Sequence, residues 1–276
     1  LTVNNVNVLI GSFSAGGESG GLAGEVMGDA VITDTSVYVY NMLFGDDEMA
    51  LMIGEVDGSS TFTRVTAVAV NHQFPSDVDN SVLDLGIGGL VGDAGPFEID
   101  QAYVDFGSRN QGSADPLSLS TFGGLIGESS VFDVDHTQSV SFIENSEVLV
   151  DVQGVESFGG LIGGFDADFS SGSTLRISNV VVTATVSQSS KLREHKEFRF
   201  KSGGLIGEIN DYGSELTINV TNAVVSAAFW DVLPEYQISE PNSSITSEKL
   251  TIDSRDLSVA VVPGDTIRIQ GMTDGE

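Results

Sequence analysis

Segments in which apolar and polar side chains alternate recur along the chain. An apolar residue at every second position is typical of a β-strand with one buried face. None of these segments shows the three- and four-residue spacing that marks an amphipathic helix. The pattern therefore predicts an all-β protein. The alternating segments occupy 35–44, 61–70, 97–106, 141–152, 173–186 and 214–229.

A short glycine-rich, apolar phrase recurs between the alternating segments, typically as Gly-Gly-Leu-Ile-Gly-Glu, and 50–55 is a degenerate copy. The last glycines of successive copies are 30, 38, 35, 36 and 44 residues apart. Self-similarity at such a period indicates a solenoid or a propeller. The glycines of the five regular copies are Gly20, Gly21, Gly24, Gly88, Gly89, Gly92, Gly123, Gly124, Gly127, Gly159, Gly160, Gly163, Gly203, Gly204 and Gly207.

Each repeat has room for about three strands, whereas a propeller blade needs four antiparallel strands. The repeat therefore predicts a parallel β-helix with one phrase per turn, about six turns in all. Successive turns of such a fold lie about 4.8 Å apart, so equivalent residues stack on one another. The glycine pair allows a sharp corner and a close approach of neighbouring backbone, and the Leu and Ile that follow fill the core.

The phrase also predicts which of its side chains point inward. Leu125 and Ile126 are adjacent, and simple alternation places Ile126 on the same face as the charged Glu128. We therefore expect Leu125 in the core and Ile126 on the outside, covered by a loop or another subunit. Phe122 and Phe158 precede two of the phrases, and we expect them to form part of an aromatic stack.

These phrases resemble the GLUG-type repeat of large secreted or surface-attached proteins. The resemblance covers about residues 1–231, and the stretches 227–236 and 242–251 look like the aromatic and Ser/Thr-rich ending of such arrays. It implies a right-handed β-helix-like solenoid, an extracellular location and no catalytic residues. Residues 232–276 are then a C-terminal cap or assembly segment. Ala50 and Leu51 replace the glycine pair in the second copy, which predicts a less regular second turn.

The charge of the chain excludes some partners. The formal net charge is −29, from 40 acidic and 11 basic residues. Nucleic acid and anionic membranes are therefore unfavourable partners, because both require basic surfaces. There is no cysteine, and the chain begins at Leu1 rather than Met. A removed signal peptide or an excised fragment would each explain that start. With the glycosylation acceptor patterns at Asn219 and Asn242 as further support, we favour a processed, exported protein.

Few residues indicate chemistry. The three histidines lie in different repeats without metal-ligand spacing, and we expect surface or loop positions for His72, His136 and His195. We expect no catalytic residue and no required cofactor. A Ca²⁺ ion is the one candidate ligand, because Asp166, Asp168 and Ser170 alternate before a glycine and offer several oxygens.

Five of the eleven basic residues lie in one short stretch, 191–201, within the longest interval between phrases. On so acidic a protein, this stretch is a candidate contact with the acidic face of another copy. The alternative is an exposed loop whose basic groups pair locally with Glu194 and Glu197. The candidate contact residues are Lys191, Arg193, Lys196, Phe198, Arg199, Phe200 and Lys201.

The features together favour a non-enzymatic, extracellular structural protein. We expect a β-helix subunit of a filament, sheath, surface layer or adhesin stalk, which self-associates into a homopolymer. The alternative is a carbohydrate-binding or carbohydrate-active β-helix with a glycan as its partner. A third option, an ice- or mineral-binding face, depends on the alternating threonines at 61–66, which no other interval repeats.

Overall fold

The protein is composed of β-strands in every segment that the structure describes. The structure is a computed structural model. It describes residues 1–14, 17–43, 48–73, 85–109, 118–130, 140–167, 173–187, 201–211 and 216–230, together with 245–246 and 249–250. No helix occurs among these residues, which confirms the all-β prediction. None of them forms a helix long and apolar enough to cross a membrane.

Most of the strands belong to three sheets. Ten form the long sheet: β1 (Thr2–Asn4), β2 (Asn7–Ser14), β5 (Ala30–Thr33), β6 (Ser36–Leu43), β9 (Ser60–Gln73), β12 (Phe97–Arg109), β15 (Val140–Glu144), β16 (Glu147–Gln153), β19 (Ser173–Ser187) and β22 (Leu216–Trp230). Six form the first short sheet: β3 (Ser19–Gly20), β7 (Met49–Ala50), β10 (Leu85–Gly88), β13 (Ser118–Gly123), β17 (Val155–Gly159) and β20 (Lys201–Gly203). Six more form the second short sheet: β4 (Ala23–Val26), β8 (Ile53–Val56), β11 (Val91–Ala94), β14 (Ile126–Ser130), β18 (Ile162–Ala167) and β21 (Ile206–Asp211).

The chain visits the three sheets in turn, and each strand pairs in parallel with its equivalents before and after it in the sequence. Parallel strands in stacked sheets fit a β-helix. Two further strands, β23 (Ile245–Thr246) and β24 (Lys249–Leu250), form an antiparallel pair. The rest of the predicted C-terminal segment, 232–276, lies outside the described residues.

The glycine phrase forms the corner between the two short sheets. The strand before it ends at the first glycine, and the next strand begins two residues after the glycine pair. A Cβ atom on Gly124 would lie 2.2 Å from the carbonyl oxygen of Gly160 in the next coil. A Cβ atom on Gly160 would lie 2.1 Å from the corresponding oxygen of Gly204. Glycine is therefore required because neighbouring backbones occupy the space of a side chain.

The prediction that Ile126 faces outward is wrong. Leu125 and Ile126 are both fully buried within the chain. Leu125 lies in the turn and Ile126 begins the strand of the next sheet, so the corner resets the alternation and both side chains point into the core. Leu161 and Ile162 repeat this arrangement in the following coil.

The departure in the second copy of the phrase does not disturb the stacking. Met49 and Ala50 pair in register with Ser19 and Gly20 in the preceding coil. They pair equally with Ile87 and Gly88 in the following one. The expected irregularity is therefore absent at β7.

Equivalent apolar residues stack into columns inside the sheets. Phe122 and Phe158 are in register, with ring centroids 6.0 Å apart and ring planes at 12°, which confirms the predicted aromatic stack. Phe106 and Phe229, which belong to the long sheet, contact Phe122 and Phe158 edge-to-face from across the core. Full burial of one such side chain contributes roughly 1.5–3 kcal/mol to stability.

A second column runs along the outside of the long sheet, at a kink in every layer. Seven residues adopt left-handed backbone, with φ between 49° and 58°. They divide each layer of the sheet into two halves, and Asn is common among them because its side chain tolerates this conformation. This kink ladder consists of Asn5, Asp34, Arg64, Gln101, Asn145, Asn179 and Asn222.

Side chains of the kink ladder hydrogen-bond along the axis. Asn222 donates from Nδ2 to Oδ1 of Asn179, and Asn179 donates to Oδ1 of Asn145, both at 3.1 Å. Arg64 donates from Nε and Nη2 to the two carboxylate oxygens of Asp34, at 2.6 and 2.8 Å. These hydrogen bonds lower the pKa of Asp34. The ladder therefore ties successive coils together in one register.

The third glycine of the phrase, which lies in β18 after the corner, predicts a sharp difference between two neighbouring substitutions. Gly163→Ala places a Cβ atom 2.4 Å from the carbonyl oxygen of Gly127, whereas the Cβ atom of Gly164→Ala has its nearest contact at 3.4 Å. We expect Gly163→Ala to lower stability by about 1–3 kcal/mol, the usual cost of overpacking, and Gly164→Ala to change it little. Chemical denaturation followed by circular dichroism measures the stability of both variants. Equal denaturation midpoints would contradict the close backbone contact at Gly163.

Candidate functional site

A shallow concavity lies on the outer face of the long sheet, over β9, β12 and β15. Two columns of outward residues form it, because they alternate with the buried Phe62 and Ile99. One column contains Glu98 and Phe142, and the other contains Asp100 and Glu144. The concavity is lined by Thr61, Phe62, Thr63, Glu98, Ile99, Asp100, Phe142 and Glu144.

The kink ladder positions the acidic side chains of this concavity. Asn145 donates from Nδ2 to Oδ1 of Asp100 at 2.8 Å. The Ser178 hydroxyl donates to Oε1 of Glu144 at 3.2 Å. Two carboxylates are therefore held beside the ring of Phe142, which is partly exposed and has the guanidinium group of Arg176 over one face, 5.5 Å from the ring centroid. Carboxylates, hydroxyls and an aromatic face are groups that can bind a ligand rich in hydroxyls.

Aromatic side chains also line the second half of the same outer face. Tyr38 and Tyr40 project from β6, and Tyr40 is 60% exposed. The hydroxyl of Tyr103 donates to Oδ2 of Asp105 at 3.4 Å. Partial burial and the nearby carboxylates of Asp105 and Glu147 raise the pKa of Tyr103, so this hydroxyl remains a proton donor.

A column of carboxylates runs along the second short sheet. The acidic residue that ends each phrase pairs in register with its equivalent in the next coil, and Gly164 occupies this position in the fifth coil. Strand spacing places neighbouring members about 4.8 Å apart. This acid ladder consists of Glu25, Glu55, Asp93, Glu128 and Glu208.

The members of the acid ladder differ in their surroundings. Burial raises the pKa of Glu55 to about 7, and the carboxylates of Asp57, Asp93, Glu18 and Glu25 add to this shift. Farther along, Glu128 accepts a hydrogen bond from Thr121. At Glu55, burial and repulsion from nearby carboxylates therefore both disfavour the charged form.

The acid ladder and the kink ladder are features that the sequence analysis did not assign. The sequence does contain a signal for the acid ladder, since an acidic residue follows the third glycine in most copies of the phrase. The kink ladder has a weaker signal, because Asp, Arg and Gln share its positions with Asn and only the strand register aligns them.

The predicted calcium residues lie mostly beyond the part of the chain that can be described. Asp166 belongs to β18, whereas Asp168 and Ser170 lie outside the described residues. Among the residues that are described, no three His, Asp or Glu side chains form a group that could hold a metal ion. The calcium site stays a prediction.

The predicted contact residues from Lys191 to Phe200 also lie outside the described residues. Lys201 begins β20, and its ammonium group forms an ion pair with Glu208 of the same coil. This pair has the same seven-residue separation as Thr121 and Glu128. Lys201 therefore has a partner within its own chain.

One histidine expectation is wrong. His72 is buried, and its ring contacts the ring of Phe106 edge-on at a centroid distance of 6.0 Å. It occupies an inward position of β9, in register with the buried Met42 of the preceding coil. His136 and His195 lie outside the described residues.

The chain matches no protein-family model, no curated protein and no solved structure in the comparisons made with each.

The raised pKa of Glu55 predicts a pH-dependent stability. In the folded state Glu55 binds its proton more tightly than in the unfolded state, where its pKa is near 4.5. Its contribution to stability is therefore most favourable below about pH 4.5 and is lost as the pH rises through about 7. Glu55→Gln should stabilise the protein above pH 7, by about 1 kcal/mol once solvent screening is allowed for.

Denaturation midpoints of both proteins between pH 4 and pH 8 test this expectation. The matched control is Glu98→Gln, which removes an exposed carboxylate from the outer face of the long sheet, away from the ladder. The difference in midpoint between Glu55→Gln and the wild type should grow with pH. A difference that stays constant would contradict the raised pKa of Glu55.

Proposed function

We propose that the protein is an extracellular structural protein, a β-helix subunit of a filament, sheath, surface layer or adhesin stalk. In this proposal the chain forms a right-handed coil of about six turns of the GLUG type. It has no catalytic role and no required cofactor, and Ca²⁺ bound at Asp166, Asp168 and Ser170 is an optional stabilising ligand. The recurring phrase and its resemblance to GLUG-type repeats support the family and the handedness.

The observation that carries the proposal is the continuity of the side-chain columns along the axis. The corner glycines, the phenylalanine column and the kink ladder each connect one coil to the next. The long sheet has seven layers in this direction, which corresponds to roughly 30 Å of rigid rod. A chain in which every repeat contacts the next one along the axis is suited to transmit force or to hold other molecules a fixed distance apart.

Two further features support an extracellular setting. The strongly acidic composition keeps such a rod soluble and suits salty surroundings, where ions screen its self-repulsion. Asn219, the first residue of a glycosylation acceptor pattern, lies exposed on β22. A glycan attached there would project from the outer face of the long sheet.

The proposed role predicts that native preparations contain polymers. Negative-stain electron microscopy of the protein isolated from its source should show thin, unbranched filaments or a regular layer. Recombinant protein should form the same objects at high protein concentration. Monodisperse single particles in both preparations would contradict the filament and layer roles.

A carbohydrate-binding role is the second candidate, and the outer concavity favours it. Phe142 lies beside carboxylates on β15, and Tyr38 and Tyr40 are exposed aromatic residues of β6, three layers away and in the other half of the same outer face. Sugar rings pack against aromatic faces, and carboxylates accept hydrogen bonds from their hydroxyls. A polysaccharide chain that runs obliquely across the strands would contact both the aromatic rings and the carboxylates.

Substitution of the aromatic residues distinguishes this second role. If the surface binds glycans, Phe142→Ala or Tyr40→Ala should weaken binding on the order of tenfold, the effect of losing one aromatic anchor. Val181→Ala, at an exposed aliphatic position of the same face, is the matched control. Titration calorimetry against a panel of soluble oligosaccharides measures the affinities, and absence of heat across the panel would remove this candidate.

A further inference from the structure

The two ends of the coil stack expose residues that are buried in every coil between them. Ile177 in β19 is 1% exposed, whereas Val220, its in-register equivalent in the last layer, is 48% exposed. At the other end, Val3 is only partly buried although its equivalent Ile32 is fully buried. Within the described residues, each end therefore presents a partly uncovered section of the hydrophobic core.

The terminal strands of the long sheet also present open backbone edges. In the described part of the chain, β22 pairs with β19 alone, and β1 and β2 pair only with β5 and β6. Natural sheets protect such edges with charged side chains or proline. The segments 1–14 and 216–230 contain neither, although the chain carries 51 charged residues, 40 acidic and 11 basic.

The two edges are complementary in direction and in register. All strands of the long sheet run parallel, so the last layer of one copy can receive the first layer of another as its next coil. The shared columns of the sheet would then place Val3 of that copy over Val220, Val8 over Val225 and Ile10 over Ala227. Each of these pairs joins apolar residues that occupy inward positions.

The kink ladder continues across the same junction. Asn222 is its last member and Asn5 its first, and both have left-handed backbone. Within the chain, the amide of the later coil donates to the side-chain oxygen of the earlier one, as Asn222 does to Asn179. Asn5 of an incoming copy would have the same relation to Oδ1 of Asn222.

We infer that the end of one molecule at β22 binds the β1–β2 end of a second copy, so that the long sheet continues from chain to chain. Such a contact is heterologous and does not close on itself, and it therefore produces a filament one molecule wide. This inference deepens the proposed structural function and rests on it. It differs from the predicted contact through 191–201, because neither edge carries charge.

Cysteine cross-linking of the 276-residue chain tests the junction. Leu9 and Ser226 are exposed on the outer face and belong to one column, so Leu9→Cys of one copy should lie about 4.8 Å from Ser226→Cys of the next. That distance permits a disulfide. The native chain has no cysteine, so every disulfide joins introduced residues, and the heterodimer of the two single variants reports this contact.

The control uses the same column one coil deeper. Thr183 is exposed and in register with Ser226, so Thr183→Cys would lie about 10 Å from Leu9→Cys across the junction. Under mild oxidation, we expect the Leu9→Cys and Ser226→Cys mixture to give disulfide-linked dimers about tenfold faster than the Leu9→Cys and Thr183→Cys mixture. The yield should rise with added NaCl, since salt screens the repulsion between two acidic chains.

Three results would overturn the inference. Equal rates in the two mixtures would mean random collision, and dominant homodimers of either single variant would mean a symmetric contact. No cross-link between the two variants would mean that this junction does not form. If native material contains filaments and any of these results is found, only this junction is excluded and the structural role stands. If native material contains no filaments, the structural role itself is contradicted.

Discussion

Direct stacking of each coil on the next, at the spacing of hydrogen-bonded strands, is the constraint on which the rest of the structure depends. At about 4.8 Å between layers, a side chain at the corner of the two short sheets would overlap the backbone of the neighbouring coil. Glycine is the residue that fits, and the close approach it permits brings Leu125 and Ile126 into the core together. The corner thus sets the register for the longer strands that follow it.

The same register places like beside like, with opposite consequences for different side chains. Phenylalanines and aliphatic residues gain contacts when they stack, and the amides of the kink ladder gain hydrogen bonds. In the acid ladder, burial raises the pKa of Glu55, and repulsion from neighbouring carboxylates adds to the shift. At the other end of the ladder, the ammonium group of Lys201 offsets the charge of Glu208. An acidic repeat in such a fold therefore has an electrostatic cost unless a proton, a cation or a basic residue offsets it.

The architecture separates two kinds of surface. Among the described residues, the first and last layers of the stack expose core residues and backbone hydrogen-bonding groups, which suits association with another coil of the same kind. The outer face of the long sheet exposes carboxylates and aromatic rings around Asp100, Glu144 and Phe142. The proposed structural role and the proposed glycan-binding role would therefore use different parts of one molecule, and the first would not depend on the second.

The sequence by itself determined the strand type, the repeat period and the stacking of Phe122 on Phe158, because alternation and recurrence are local patterns. It did not determine which way Ile126 and His72 point. A corner or a change of strand pairing shifts which positions face inward, and the alternation of apolar and polar residues does not show such a shift. Only the tertiary structure aligned Glu25, Glu55 and Asp93 into a ladder. It alone joined Asn145 to Asp100, 45 residues away, because the register between coils depends on hydrogen bonds between distant backbone segments.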